Sequence, residues 1–491
     1  MRKYSEQQNF RIAKIAQLQK LGVLPFGEAF SKVDDCASLK KNWDSLDSAS
    51  LEAKNVAVKL AGRIVLQRIQ GKAGFITIQD GYGRIQVYVR LDNVGPESYE
   101  IFKLGDLGDF VGVEGVLFRT HTNELTIKAY KYTHLSKAIT PLPDKFHGLQ
   151  DVEETRRKRY LGMITSEEVK TVAYTRPKII RSIQNYFDTK GFIEVETPVL
   201  QPILGGASAK PFITHHNVLD MDFYLRIATE LPLKKLVVGG MEKVYEIGRL
   251  FRNEGMDAKH NPEFTTVEAY MAYADVHTMM DLVEDCLSTV VKNITGSYDL
   301  KFGDLDLHIH DFKRISMVEA IKEVIQVDFN TVKTLTAAKK LATKHHIEVP
   351  AHFKIGHIIE AFFDQFVEPT IIQPTIIYHH PIEISPLAKK AADPRWAERF
   401  ELFIAGAEYA NAFSELNDPL DQLERFEAQV KEKALGNEET CEVDLDYIEA
   451  LEYGLPPTGG IGIGIDRLIM LITNTPNIRD VILFPHLRKN K

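Results

Sequence analysis

Between Val56 and Leu135 apolar and polar residues alternate in short runs rich in Val, Ile, Thr and Tyr, VAVKLAGRIVLQRIQGKAGFITIQDGYGRIQVYV and later GDFVGVEGVLFRTHTNELTIKAYKYTHL. The period of two, broken by glycines and by turns such as QDGYGR, predicts five short strands closing into a small barrel. Ser136 to Gly162 brings two prolines and then a charged helical start, which reads as a hinge centred on residues 141–165. An amphipathic helix follows, roughly Pro177 to Thr189. Gly248 to Tyr270, GRLFRNEGMDAKHNPEFTTVEAY, reads as two antiparallel strands joined by a long loop. Side chains alternate across a strand, so Arg252 and Glu254 are expected on one face of the first, and Phe264, Thr266, Glu268 and Tyr270 on one face of the second. From Ser316 to about Glu368 the spacing turns helical again, in SMVEAIKEVI, LTAAKKLATKHH and GHIIEAFFDQFVEP.

A length of 491 residues, 44% hydrophobic and 26% charged, suits about three domains with a large core. No apolar run reaches the roughly 18 residues of a spanning helix, and the first residues, MRKYSEQQNFRIAKIAQLQKLG, carry no apolar leader. A cytoplasmic protein without a membrane segment is the expectation. Cys36, Cys286 and Cys441 are odd in number and form no CxxC, which points to reduced structural thiols. A net charge of -8 argues against indiscriminate nucleic-acid binding but allows a focused basic surface. Arg2, Lys3, Arg11, Lys14 and Lys20, with Phe10, Ile12, Ile15 and Leu18 at helical spacing, make either a basic helix that supports RNA or a plain solvated one.

Three stretches carry candidate chemistry. The hairpin face combines a cation, carboxylates and aromatics. Phe400 to Phe426, FELFIAGAEYANAFSELNDPLDQLERF, spaces Glu401, Glu408 and Glu415 seven apart and alternates Asn411, Phe413 and Glu415 onto one strand face. Gly459 to Leu468, GGIGIGIDRL, is no phosphate loop, since no GxxxxGK occurs; its glycines are expected to let a strand and a helix pack closely. The histidine pairs at 215 and 216, 345 and 346, and 379 and 380 cannot converge on one ion as sequence neighbours.

FRNE, a variable loop and HNPEFT resemble motif 2 of the class II aminoacyl-tRNA synthetases, GFIEVETPVL resembles motif 1, and GGIGIGIDRL resembles motif 3. The order is right, and the resemblance covers residue 56 to the C-terminus. It is closest to the lysyl members, bacterial type, of the subgroup that charges Asp, Asn or Lys. It implies an α+β protein: a helical extension over residues 1–55, an OB-fold anticodon-binding barrel over 56–140, the hinge, and a class II catalytic domain over 166–491. That domain would be an antiparallel sheet flanked by helices, with a small helical insertion at about 316–370. Also implied is a homodimer with Pro198 at its interface.

The resemblance further implies an ATP site of Arg252, Glu254, His260, Phe264 and Arg467, with Arg252 on the α-phosphate, His260 and Arg467 near the γ-phosphate and Phe264 on adenine. Arg252, His260 and Arg467 would be the catalytic groups. Lysine would be held by Gly206 and Glu230 at its α-amino group, Asn411 at its carboxylate, Phe413 along its stem, and Glu415, Tyr270 and Glu268 at its ε-ammonium. Glu401 and Glu408 would hold Mg2+ as hard oxygen ligands. In the barrel, Phe75 would stack on an anticodon base, with Gln86 and Glu124 as further contacts. The chain departs from the pattern at Gln67, where the family often has a second Arg before Arg68, at Lys210, usually Arg, and at Pro232, commonly Tyr or Phe. The implied reaction joins L-lysine to tRNA(Lys) through a lysyl-adenylate formed from ATP. The alternatives are an aspartyl or asparaginyl relative, a lysine ligase acting on a protein, and a catalytically inactive RNA-binding or regulatory paralogue.

Overall fold

The computed structural model describes residues 3–143, 151–207, 209–433 and 443–488, and the chain divides into two units, Met1–Gln150 and Asp151–Lys491. In the first unit, helices Glu6–Lys20, Cys36–Trp43 and Ser48–Lys54 each begin at a side-chain cap, Ser5, Asp35 and Asp47, which satisfies amide protons the helix cannot. Strands Ala57–Gln70, Ala73–Gln79, Arg84–Arg90, Phe110–Arg119 and Leu125–Ser136 form a closed five-stranded barrel. It is filled by Leu60, Ile64, Ile76, Val87, Val111, Ile127 and their neighbours, so the predicted alternation is the one that folds. The basic first helix is not simply solvated. Lys14 pairs with Asp106 at 2.7 Å, Arg11 donates to the carbonyls of Leu107 and Ala138, and Leu18 is buried. Arg2 lies outside the described residues.

Of the expected hinge, residues 144–150 lie outside the described residues, and the part that follows belongs to the second unit. It forms helices Val152–Arg157 and Arg159–Thr165. Arg156 grips Asp480 through two hydrogen bonds of 2.7 Å, and buried Arg159 donates to the carbonyls of Arg479, Ile482 and Leu483. The charged run that reads as linker is thus a clasp on the C-terminal segment.

An eight-stranded sheet organises the second unit. Across it run Lys313–Ser316, Thr375–Tyr378, Arg399–Ile404, Ala407–Ser414, Thr458–Gly464, Glu263–Ala272, Lys243–Phe251 and Ile193–Glu194. The central pairs are antiparallel, as expected, but the outermost pair at each edge is parallel. Parallel neighbours need a long crossover. On one edge it is supplied by helices Met317–Ile325, Leu335–Lys344 and Ile355–Phe366, so the helical insertion is the connection that brings Thr375–Tyr378 beside Lys313–Ser316. It buries its own cluster around Ile321, Ile358, Phe362 and Phe363.

Helices Glu167–Thr189 and Val276–Thr295 contribute buried rows to the main core over one face of the sheet. The first starts ten residues before the expected Pro177, capped by Ser166. A proline inside a helix forfeits a backbone hydrogen bond and costs ~3 kcal/mol in an isolated one. Here Arg176, immediately before it, is fixed by Asp466 at 2.5 Å and Thr265 Oγ1 at 3.1 Å, and this buried anchor carries the helix through. Cys36 and Cys286 are buried free thiols; burial pushes Cys36 up to about 12, which keeps it an unreactive thiol. Cys441 lies outside the described residues. No helix among them is long and apolar enough to cross a membrane.

Candidate active site

Three adjacent strands set the floor of the site by strict alternation. On Glu263–Ala272, Val267 and Ala269 enter the helix-covered core; on Ala407–Ser414, Ala410 and Ala412 do so; on Thr458–Gly464, Ile461 and Ile463. The opposite face presents Phe264, Thr266, Glu268, Tyr270, Asn411, Phe413, Gly460, Gly462 and Gly464 to a cavity of about 880 Å3. This corrects the reading of the glycines. Gly459 does abut Met279 of the helix, but at Gly460 a Cβ would overlap Glu415 Oε1 and the Tyr270 ring. The missing side chains make room on the cavity side.

The first hairpin strand ends at Phe251, so Arg252 and Glu254 do not share a strand face. Both lie in the loop beyond it and still line the cavity. The guanidinium of Arg252 sits 5.2 Å from the Phe264 ring centroid, and its Nε is buried without an acceptor. A buried charged donor without a partner is costly, unless an anionic ligand supplies the acceptor. Across the loop, His260 Nδ1 meets Asp257 at 2.9 Å and its Nε2 lies 3.3 Å from Arg467 Nη2. Arg467 also donates to the Glu408 carbonyl at 2.5 Å. His260, Phe264 and Arg467 line the same cavity.

A buried anionic pocket forms one end. Glu230 opens helix Glu230–Val238; Pro232 falls in its first turn, where no intrahelical amide bond is lost. Gly206, at φ +87, has Ala228 and Glu230 packed where a side chain would go. Glu268 accepts from the Thr229 amide at 3.2 Å and from the Tyr270 hydroxyl at 3.3 Å. Burial, with the nearby Glu230 charge adding, pushes its carboxyl up to about 7. Glu415 is the exception among the expected residues, since it lies behind the cavity wall. It is 1% exposed, its Oε1 is buried without a partner beside Gly460, and its Oε2 accepts from Lys234 at 2.5 Å.

Lys234 is the charged residue beside this pocket that the sequence reading missed. It is fully buried and also lies 2.6 Å from Glu230 Oε1, an ion pair bent away from hydrogen-bond geometry. Burial opposes its charge, but Glu230 and Glu415 outweigh it and hold the ammonium well above the ordinary lysine range. Burial drives both carboxyls up and Lys234 opposes it; with the ammonium firmly protonated, the group keeps charge inside the protein. The only signal in the sequence was the i, i+4 spacing of Glu230 and Lys234, which on most helices marks a surface pair.

Glu401 and Glu408 stand at the other end. Arg399 bonds Glu401 at 2.5 Å and Asn411 Oδ1 at 3.1 Å. Desolvation and the Glu401 charge raise Glu408. Glu360, on the crossover helix Ile355–Phe366, is pushed up to about 8 by burial, with Arg399 opposing and Asp364 and Glu401 adding. Glu360, Glu401 and Glu408 all line the cavity, and hard oxygen donors suit a divalent cation. The histidine pairs are engaged elsewhere: His215 with Asp222, His216 with the Leu219 amide, His345 edge-on to Phe362, and buried His380 with the Ile377 carbonyl.

On the barrel, Phe75 is 37% exposed, tilted against Tyr88 at 4.8 Å. Gln86 donates to Glu124 at 3.0 Å and accepts from Thr126 at 3.0 Å. The register sets Thr77 against Gln86 and Phe75 against Tyr88, so the three expected contacts share one outer patch. Arg68, opposite Phe75, joins them.

A family described as tRNA synthetases class II (D, K and N) matches residues 151–488, and one described as OB-fold nucleic acid binding domain matches residues 58–135. Among curated proteins, a lysine–tRNA ligase of Onion yellows phytoplasma (strain OY-M) is 56% identical over 485 residues, 99% of this chain and 95% of that protein. One of Staphylococcus epidermidis is 53% identical over 489 residues, 99% of each chain, and one of Streptococcus pneumoniae 55% over 491, again 99% of each. With its catalytic unit and its barrel both matched, the chain belongs to the class II tRNA synthetases of the D, K and N group.

Proposed function

We propose that the protein is a lysine–tRNA ligase, which joins L-lysine to the 3′ end of tRNA(Lys) through a lysyl-adenylate and releases AMP and pyrophosphate. The observation that carries this reading is the buried cluster of Glu230, Glu268 and Glu415 in reach of Arg252, whose buried Nε has no acceptor among the described residues. Such a pocket attracts ammonium groups and repels the side chain of aspartate; asparagine would leave its charges unanswered.

The carboxylate of lysine is ionised at neutral pH and attacks the α-phosphorus of ATP in line without a general base. Catalysis is then positioning and charge stabilisation. Arg252 receives the charge that grows on the α-phosphoryl oxygens, and its planar fork suits that oxygen geometry. Phe264 stacks on adenine, and Glu254, which also lines the cavity, belongs to the same ATP site. His260 and Arg467 hold the departing pyrophosphate, while Asn411 and Phe413 take the carboxylate and stem of lysine and Gly206 helps Glu230 with the α-amino group. A ribose hydroxyl of tRNA then attacks the adenylate carbonyl. Glu401 and Glu408 would hold Mg2+, which when bound supplies positive charge to the ATP phosphates.

Phe75, Gln86 and Glu124 read the anticodon in this account, on a barrel of about residues 56–140 separate in role from the catalytic residues 166–491. A homodimer belongs to the same reading. Exposed Ile193, Val199 and Leu200 lie near Pro198 in the chain, with exposed Ile213 on a strand of the small sheet that follows and Val218 in the turn after that strand, and exposed apolar residues of this kind are suited to a second copy. The site of action is the cytoplasm, where tRNA is charged. The test is aminoacylation of a tRNA(Lys) transcript with labelled lysine. A base-labile lysyl ester at the 3′ end is expected; no charging, or charging with aspartate or asparagine instead, would overturn the assignment.

A further inference from the structure

We propose that Lys234 is a positioning residue for the amino-acid substrate: its ammonium bridges the two carboxylates that receive the two ammonium groups of lysine, and sets the pocket to lack two positive charges. The inference rests on the reading of the site as a lysine pocket and says how that pocket chooses.

One buried cation, Lys234, contacts two buried carboxylates, Glu230 and Glu415, and a third, Glu268, is buried close enough to both for its charge to bear on them. Free lysine brings two ammonium groups and a carboxylate, and the carboxylate belongs with Arg252 and Asn411 outside this cluster. Two ammonium groups added to three carboxylates and one resident ammonium give a neutral interior. Without Lys234, three carboxylates desolvated together would take up protons, and a protonated carboxyl holds an ammonium poorly. The geometry is that of a brace. One Nζ lies 2.6 Å from Glu230 and 2.5 Å from Glu415, so it fixes the α-amino anchor and the ε-ammonium anchor relative to each other. Glu415 has Oε2 engaged by Lys234, while its Oε1 is buried without a partner among the described residues, which makes Oε1 the acceptor that a substrate ammonium would satisfy.

The groups that face the brace come from every wall. Glu230 lies on its own helix, Glu415 follows strand Ala407–Ser414, and Glu268 and Tyr270 lie on strand Glu263–Ala272. The ring of Tyr447, from helix Leu445–Glu452, lies 5.7 Å from Nζ, and that of Phe413 5.6 Å. Arg399, which bears on Glu230, is already engaged by Glu401 and Asn411 and does not replace the brace. Lysine in place of a neutral residue is thus costly to bury yet closes the charge balance only when the right substrate arrives.

The experiment is Lys234→Met in the full-length enzyme, a side chain of similar length without charge, assayed by lysine-dependent pyrophosphate exchange across pH. We expect KM for lysine to rise about a hundredfold while KM for ATP changes less than about threefold, and the midpoint below which lysine binding weakens to move up by about one pH unit. An unchanged lysine KM, or equal losses for lysine and ATP with an unmoved pH profile, would overturn the proposal and make Lys234 a packing residue. Should Lys234→Met fail to fold, calorimetry on the parent enzyme decides. Lysine binding at pH 7, in two buffers of different ionisation enthalpy, should release no more than about one proton, that of Glu268. Release of two or more would mean that Lys234 does not keep Glu230 and Glu415 ionised, and the proposal fails. A parent enzyme that binds no lysine at all would instead sink the lysine-pocket reading, which keeps the two failures distinct.

Discussion

In the proposed mechanism Arg252 concentrates the chemistry, since its guanidinium lies beside Phe264 with a buried Nε that finds no acceptor among the described residues. Arg252→Ala should cost about 3 kcal/mol or more in transition-state stabilisation, by analogy with deletion of an oxyanion donor. Pyrophosphate exchange should be lost while the circular dichroism spectrum is unchanged; near-normal exchange would remove Arg252 from the catalytic set. Glu268 makes a pH prediction whose sign follows from its burial. Its carboxyl, pushed up to about 7, is largely protonated in the empty pocket below that pH, and an arriving ammonium must expel the proton. The Kd for lysine should therefore rise as pH falls through about 7, by up to about tenfold per unit for one linked proton, and Glu268→Gln should flatten the profile. Gly460→Ala would drive a methyl group into Glu415 Oε1 and the Tyr270 ring. The lysine KM should rise by at least about tenfold with little change for ATP; an unaffected lysine KM would show that Glu415 and Tyr270 do not receive the substrate.

At the scale of elements, legibility followed locality. The alternation of Phe264, Thr266, Glu268 and Tyr270 could be read directly, because a strand's period of two is written in consecutive residues. The same rule carried one strand too far at Arg252 and Glu254, where the backbone leaves the sheet after Phe251. Pro177 looked like a helix start, and the anchor that overrules it joins Arg176 to Asp466, 290 residues away. Lys234 and Glu415, 181 residues apart, were hidden for the same reason: burial of a charge depends on partners that no local pattern reveals. Asp466 ties three elements, accepting from Arg176 and from the Thr265 amide at 2.6 Å. Asp466→Ala would leave a buried guanidinium without its counter-ion, and thermal or urea unfolding should show a loss of about 3 to 5 kcal/mol. A loss below about 1 kcal/mol would mean that the Pro177 helix is held by packing alone.

In the proposed function two tasks fall to two units, and they can be separated experimentally. Phe75→Ala should weaken charging of tRNA by the equivalent of about 1 to 3 kcal/mol, the worth of one stacked base, and leave tRNA-independent pyrophosphate exchange unchanged. Equal loss in both assays would make Phe75 a barrel residue without a contact role. The barrel and the order of the three motifs were legible throughout, since each is a local pattern. The parallel edges of the large sheet were not, because strand direction there is decided by a crossover of some sixty residues between Ser316 and Thr375. The central claim is that a buried set of carboxylates selects lysine for attack on ATP. Amino-acid-dependent exchange of pyrophosphate into ATP, measured with each of the twenty amino acids in turn, tests it most directly. The account predicts strong exchange with lysine alone, and exchange driven equally by aspartate or asparagine, or by no amino acid, would contradict it.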